Sequence, residues 1–207
     1  ISADAQKDEE FIESDDAYLE ARNRRIERLR HGCEDALRID SGCVDAKAIL
    51  ALTGEGEPDD ALVRLEQIEQ GLDEPVHADG ADLWEDAFAR PRLRLLASIA
   101  RTQLETARYR RALETCERAA ALNPADNIGI RFTWTIALAR LEDERGFDEL
   151  DARFGRQGNA WTHLTRALLL FKLDRMPAAR RALRGYASLC RGGAYALLRP
   201  TFVEPYL

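Results

Sequence analysis

The sequence predicts an all-α fold of helix pairs stacked side by side, and three observations carry that prediction. Apolar residues recur at spacings of three and four through most of the chain, the period of one face of a helix. A short pattern occurs twice, as CEDALRIDS from Cys33 to Ser41 and CERAAALNP from Cys116 to Pro124; in each copy an apolar helical face runs into a turn former. Ala100 and Ala112, and again Ala167 and Ala179, stand twelve residues apart, as expected where small side chains let two joined helices cross closely.

Taken in order, residues 1–10 are acidic and unpatterned and predict a flexible tail, and 11–207 predict a single helical domain. Asp15 to Ile39 reads as one long charged helix, with Tyr18, Leu19, Ile26, Leu29, Cys33, Ala36 and Leu37 as its apolar positions. The first helix pair is predicted over 44–72, broken by TGEGEPDD. DEPVHADG then interrupts the pattern, and an extra helix is predicted over 81–89 on the strength of Leu83, Trp84 and Phe88. The second pair spans 91–123. Pro91 sits where a first turn tolerates proline, Leu93, Leu96, Ala97, Ala100 and Leu104 form one stripe, and a break falls at Thr106 and Ala107. Tyr109, Ala112, Leu113, Cys116, Ala119 and Ala120 form the facing stripe. Asn123 and Pro124 stop that helix, and Asp126 or Asn127 caps the next. The third pair covers 130–156, with Leu138 and Leu150 in the crossing places and therefore a wider crossing. The fourth covers 160–190, and the paired Gly192 and Gly193 read as a helix end.

Leu96, Ile99, Ala100, Tyr109, Ala112, Ala119 and Pro124 resemble the tetratricopeptide repeat (TPR): a large residue, a small one at the crossing, an aromatic opening the second helix, further alanines and a closing proline. Gln103 and Cys116 stand where that family prefers aromatics, and Ala107 where it prefers glycine. The resemblance covers most of Val44 to Tyr186 and implies a right-handed superhelical array of antiparallel helix pairs, a TPR-like α-solenoid. It also implies that the first helices of successive pairs line a concave groove holding a peptide or protein, often through a carboxylate.

Composition narrows the function classes. A net charge of -7 disfavours a general nucleic-acid binder, and no apolar run reaches the roughly 18 residues of a membrane span. His31, His77 and His163 fall on separate elements, and the four cysteines, Cys33, Cys43, Cys116 and Cys190, include no C-x-x-C, so no metal is expected and the thiols read as reduced packing groups. Neither a nucleophile elbow nor a phosphate loop is present. No cofactor is expected, and an enzyme ranks third, behind a binding scaffold and a self-associating structural protein. The expected location is the cytoplasm.

On the predicted helix from Pro91, Arg94, Ser98 and Arg101 share an arc beside the buried stripe, Arg90 joins them one turn back, and Arg131 opens the next first helix. These five are the candidate peptide-binding residues, because converging guanidinium groups hold a carboxylate by forked hydrogen bonds. The expected partner is a protein or peptide, acidic or with a free carboxylate. Trp84, Trp134 and Trp161 read as core, with anchors for a partner as the alternative. From Leu164 to Phe171 the fourth pair's first helix is apolar nearly all round and needs cover from its neighbours, from the C-terminal FVEPYL or from a second subunit, so a homodimer is a further expectation. Charge is also split: the first twenty residues are strongly acidic, whereas Asp174 is the only acid from Ala160 to Pro200. The two ends attract each other, attract an acidic partner, or simply lie solvated.

Overall fold

The computed structural model describes residues 15–73, 82–156 and 158–198, and among these the regular structure is entirely helical. The acidic tail at 1–10 and the FVEPYL segment lie outside the described residues. Helix α1 (Asp15–Ile39) buries Ala21 and Cys33 among its described side chains and packs on α2 (Val44–Leu52). Helix α3 (Pro58–Gln70) starts from a reciprocal cap in which the Glu57 N–H donates to Asp60 Oδ2 at 3.0 Å. Then come α4 (Arg90–Glu105), α5 (Tyr109–Leu122), α6 (Ile130–Leu141), α7 (Glu144–Arg153), α8 (Ala160–Lys172), α9 (Met176–Leu189) and the short α10 (Gly193–Leu198). Pro91 occupies the first turn of α4, and the Asp126 carboxylate accepts the Ile130 N–H at 2.6 Å at the start of α6. Gly192, at φ +83°, follows the end of α9.

The extra helix expected over 81–89 does not form. In its place there is a single 3-10 turn, Leu83–Glu85, followed by irregular chain. Asp82 Oδ1 accepts the Trp84 N–H and Asp86 Oδ1 the Phe88 N–H, each at 2.9 Å. These side chains take the donors a helix would use. Leu83 is buried while Phe88 is 94% exposed, so the apolar residues do not share one face.

Each helix packs on its sequence neighbours, and successive first helices also meet: α2 with α4, α4 with α6, α6 with α8. This is the contact pattern of an α-solenoid, in which a pair buries its apolar stripe only against adjacent pairs. The core is correspondingly strung out. Leu62, Leu65, Leu95 and Ile99 centre one cluster, Leu96, Cys116, Trp134, Leu138, Phe147 and Leu169 the next, and Ala167, Leu170, Ala179 and Ala182 the last. Ala100 and Ala112 are both wholly buried. Leu138 and Leu150, in the crossing places of α6 and α7, are both buried. Gly185 of α9 permits close approach to α8, since a Cβ there would stand 2.7 Å from His163 Nδ1. Burial pushes the Cys116 thiol far above its usual range, which makes it a packing group.

Three hairpins turn in the same way. Arg108 N–H bonds to Gln103 O, Asp143 to Leu138 O and Arg175 to Leu170 O, the six-to-one bond of a Schellman turn. The residue before each donor, Ala107, Glu142 or Asp174, has φ between 55° and 61°, the left-handed region that costs an L-residue roughly 1–2 kcal/mol. Glycine pays more chain entropy on folding, so Ala107→Gly is expected to raise stability by a net of about 0.5–1 kcal/mol. Thermal unfolding by circular dichroism checks this, and an unchanged or lower midpoint contradicts it.

Ion pairs between successive helix pairs have a fixed sense. Arg94 meets Asp45, Arg108 meets Asp59 and Arg118 meets Glu69, each across the same interval of 49 residues. Arg166 meets Asp148 and Asp151, Lys172 meets Glu142, and Arg175 meets Glu144. In every one of these the cation belongs to the later pair and the carboxylate to the earlier.

Candidate functional site

Among the described residues, the first helices leave an apolar surface uncovered. On α8, Trp161, Leu164, Leu168 and Phe171 follow at spacings of three and four and therefore form one stripe. Thr165, Ala167, Leu169 and Leu170 are buried on its other faces. Trp161, read as core from the sequence, is instead 40% exposed, with Leu168 52% and Phe171 61% exposed beside it. With Ile136, Ala139 and Arg140 of α6 and Lys172, this stripe bounds a groove of about 330 Å³. The Trp161 ring is held as a wall, since Nε1 donates to Phe132 O at 3.0 Å and the ring meets Phe132 edge-on at 6.1 Å. Lys172 Nζ donates to Arg140 O at 2.8 Å and pairs with Glu142 at 3.2 Å. The groove is thus apolar along its length with two cations at its rim, a form that takes apolar side chains and fixes their orientation by a few polar groups.

The five residues singled out from sequence are placed as follows. Arg90 Nε donates to Trp84 O at 2.8 Å and its guanidinium lies 4.9 Å from the Trp84 ring, so it holds the 82–89 segment against α4. Arg94 grips Asp45 with both prongs, at 2.9 and 2.5 Å. That hydrogen bonding raises the Arg94 pKa, and the fork suited to an incoming carboxylate already holds an internal one. Ser98 Oγ donates to Arg94 O at 3.0 Å. Arg131 stacks 4.9 Å from Phe132 and 5.2 Å from Phe154 and lies 3.3 Å from Asp126 Oδ2. Burial pushes the Asp126 carboxyl up, against the pull of the Ile130 N–H and of Arg131. Arg101 is the most open of the four arginines, with Glu105 at 3.8 Å and about two thirds of its side chain exposed.

Sequence reasoning found α8 but missed Ile136, which sits on a helix one pair earlier. The missed signal is that α6 is apolar on more than its buried face. Gln103, standing where TPRs prefer an aromatic, is buried. Its Oε1 accepts from Thr115 Oγ1 at 2.9 Å and its Nε2 faces Glu66 at 3.4 Å, so a polar bridge across α3, α4 and α5 replaces ring packing. Among the described residues no group of three His, Cys, Asp or Glu is arranged to hold a metal ion, and no helix is long and apolar enough to cross a membrane.

No family model matches the sequence, and no curated protein matches it. Among solved structures the chain is similar to YrrB, described as a TPR protein with an unusual peptide-binding site. The TM-score is 0.54 at 17% identity, over 93% of this chain and 95% of that one. Likeness at that identity shows the fold, and the fold is a divergent TPR-like α-solenoid.

Proposed function

We propose that the chain is a non-catalytic scaffold that holds a peptide or protein partner along the first-helix face, with the α6/α8 groove as its apolar anchor point. The observation that carries this reading is the set of three large apolar side chains left 40–61% exposed around one groove, since such patches mark interaction sites more often than chance exposure. The solved relative is itself described as peptide-binding. A partner of the preferred kind offers a leucine or aromatic anchor to Leu168 and Phe171 and a carboxylate to Arg101, the arginine of the candidate group least engaged within the chain; Arg90, Arg94, Ser98 and Arg131 are held by Trp84, Asp45, the Arg94 carbonyl and Asp126.

The test uses peptides selected by phage display on the full chain and measured by fluorescence anisotropy. Leu168→Asp is expected to weaken them at least tenfold, roughly 1.4 kcal/mol. Arg101→Glu is expected to weaken selectively those with acidic residues. Affinities unchanged in Leu168→Asp reject the groove. The same apolar stripe favours a second reading, self-association through α8, which predicts a dimer in sedimentation that Leu168→Asp dissolves.

A further inference from the structure

The directional ion pairing between helix pairs stops at α9. At the two junctions whose ion pairs are given above, from α2/α3 to α4/α5 and from α6/α7 to α8/α9, a carboxylate of the earlier pair faces a cation of the later one, so continuation in that sense past α9 would call for carboxylates on it. Instead residues 176–198 contain no Asp or Glu at all. Arg180, Arg181 and Arg184 are exposed, and their spacing puts them on one helical face. None of the three pairs with a carboxylate among the described residues, whereas Arg166, Lys172 and Arg175 in the same helix pair are all matched. The face asks for an anionic occupant. The chain carries a complement: residues 4–16 hold seven carboxylates against Lys7 alone.

We propose that the arginine face of α9 docks the acidic N-terminal stretch of a second copy, so that molecules associate head to tail. A second copy is preferred over the chain's own stretch because of where the two ends lie. Helix α1 packs on α2, α9 packs on α8 and α10, and α3 to α7 intervene. Three steps between first helices at about 10 Å each span roughly 30 Å, most of the ~38 Å that the eleven residues from Asp4 to Ser14 reach at about 3.5 Å per residue. A partner copy meets no such constraint. The contact uses different surfaces on the two molecules, and a contact of that kind builds open chains unless its rotation closes a ring. Net charge of the same sign on both copies opposes approach, but at about 0.15 M salt charges more than ~8 Å apart are largely screened, leaving the local contact to decide.

The test is sedimentation of the full chain across a concentration series at ~50 mM and ~500 mM salt, where the Debye length is ~14 and ~4 Å. The wild type is expected to associate at low salt and to do so at least fivefold more weakly at high salt. Arg180→Glu/Arg181→Glu/Arg184→Glu and, separately, Asp8→Asn/Glu9→Gln/Glu10→Gln/Glu13→Gln are each expected to abolish it. Mixed in equal amounts, the two variants are expected to form a complex that stops at two chains, since one retains only the acidic stretch and the other only the arginine face. A wild type that stays monomeric, association that persists in either variant, or a mixture that stays monomeric overturns the proposal.

Discussion

Phe147→Ala is expected to lower the free energy of unfolding by about 3–5 kcal/mol, the usual cost of emptying a fully buried aromatic site. Phe147 is wholly buried, packed in the cluster of Trp134, Leu138, Leu150 and Leu169, and its ring also receives the Arg166 guanidinium at 4.6 Å. That guanidinium in turn ties α8 to α7 through Asp148 and Asp151. The surrounding helices are held by neighbours on both sides and can collapse only partly into the space, so the cavity cost adds to the lost transfer energy. In a linear array the damage is local. Amide exchange is expected to accelerate through α6 to α9, while α3, whose core of Leu62 and Leu65 lies in another cluster, keeps its protection. Urea unfolding and exchange mass spectrometry read the two effects. A loss below about 1 kcal/mol would show that the site relaxes freely, and a uniform loss of protection would show that the array unfolds as one unit.

The residues that announce the array are those whose role is local or repeated. Ala100 and Ala112 declare a crossing because both sit on the inner faces of joined helices, and Asn123 with Pro124 declares a stop by backbone chemistry alone. The 81–89 segment misleads for a physical reason. Leu83, Trp84 and Phe88 have helical spacing, but the conformation is decided by Asp82, whose oxygens are claimed by Asn123 at 2.7 Å and by the Ala125 N–H at 3.0 Å, some forty residues downstream. The arginine group is obscured in the same way. Arg94 shows in the sequence as a cation on a first helix, but Asp45, which occupies its fork, is 49 residues away. Helix α8 reveals by its composition that it needs cover. Which of its faces stays open is fixed by α6 and α9, and no spacing within α8 encodes that.

Asn123→Ala is expected to cost about 2–3 kcal/mol, because it removes three hydrogen bonds of a buried amide, one of them to a charged carboxylate. Asn123 is 1% exposed. Its Nδ2 donates to Asp82 Oδ1 at 2.7 Å and to Asn127 Oδ1 at 2.9 Å, and its Oδ1 accepts the Ile128 N–H at 3.3 Å. One side chain therefore fastens the turn between α5 and α6 to the segment that enters α4. If that link is the source of the loss, Asn123→Ala and Asp82→Ala together should cost less than their sum, by about 0.5–3 kcal/mol as directly bonded pairs do; strict additivity in urea unfolding rejects the link. The carboxylate also gives it a pH signature. Burial pushes the Asp82 pKa up, but the Trp84 N–H, the Asn123 amide and the Ala125 N–H outweigh it and hold the group below its ordinary value. A carboxyl lowered on folding contributes stability above its unfolded value of about 3.9 and loses it as pH falls through the folded one. Below pH ~4 the wild type should thus lose stability more steeply than Asp82→Asn, which has no proton to take up there. Parallel acid profiles for the two would show that the Asp82 charge adds nothing to the tether.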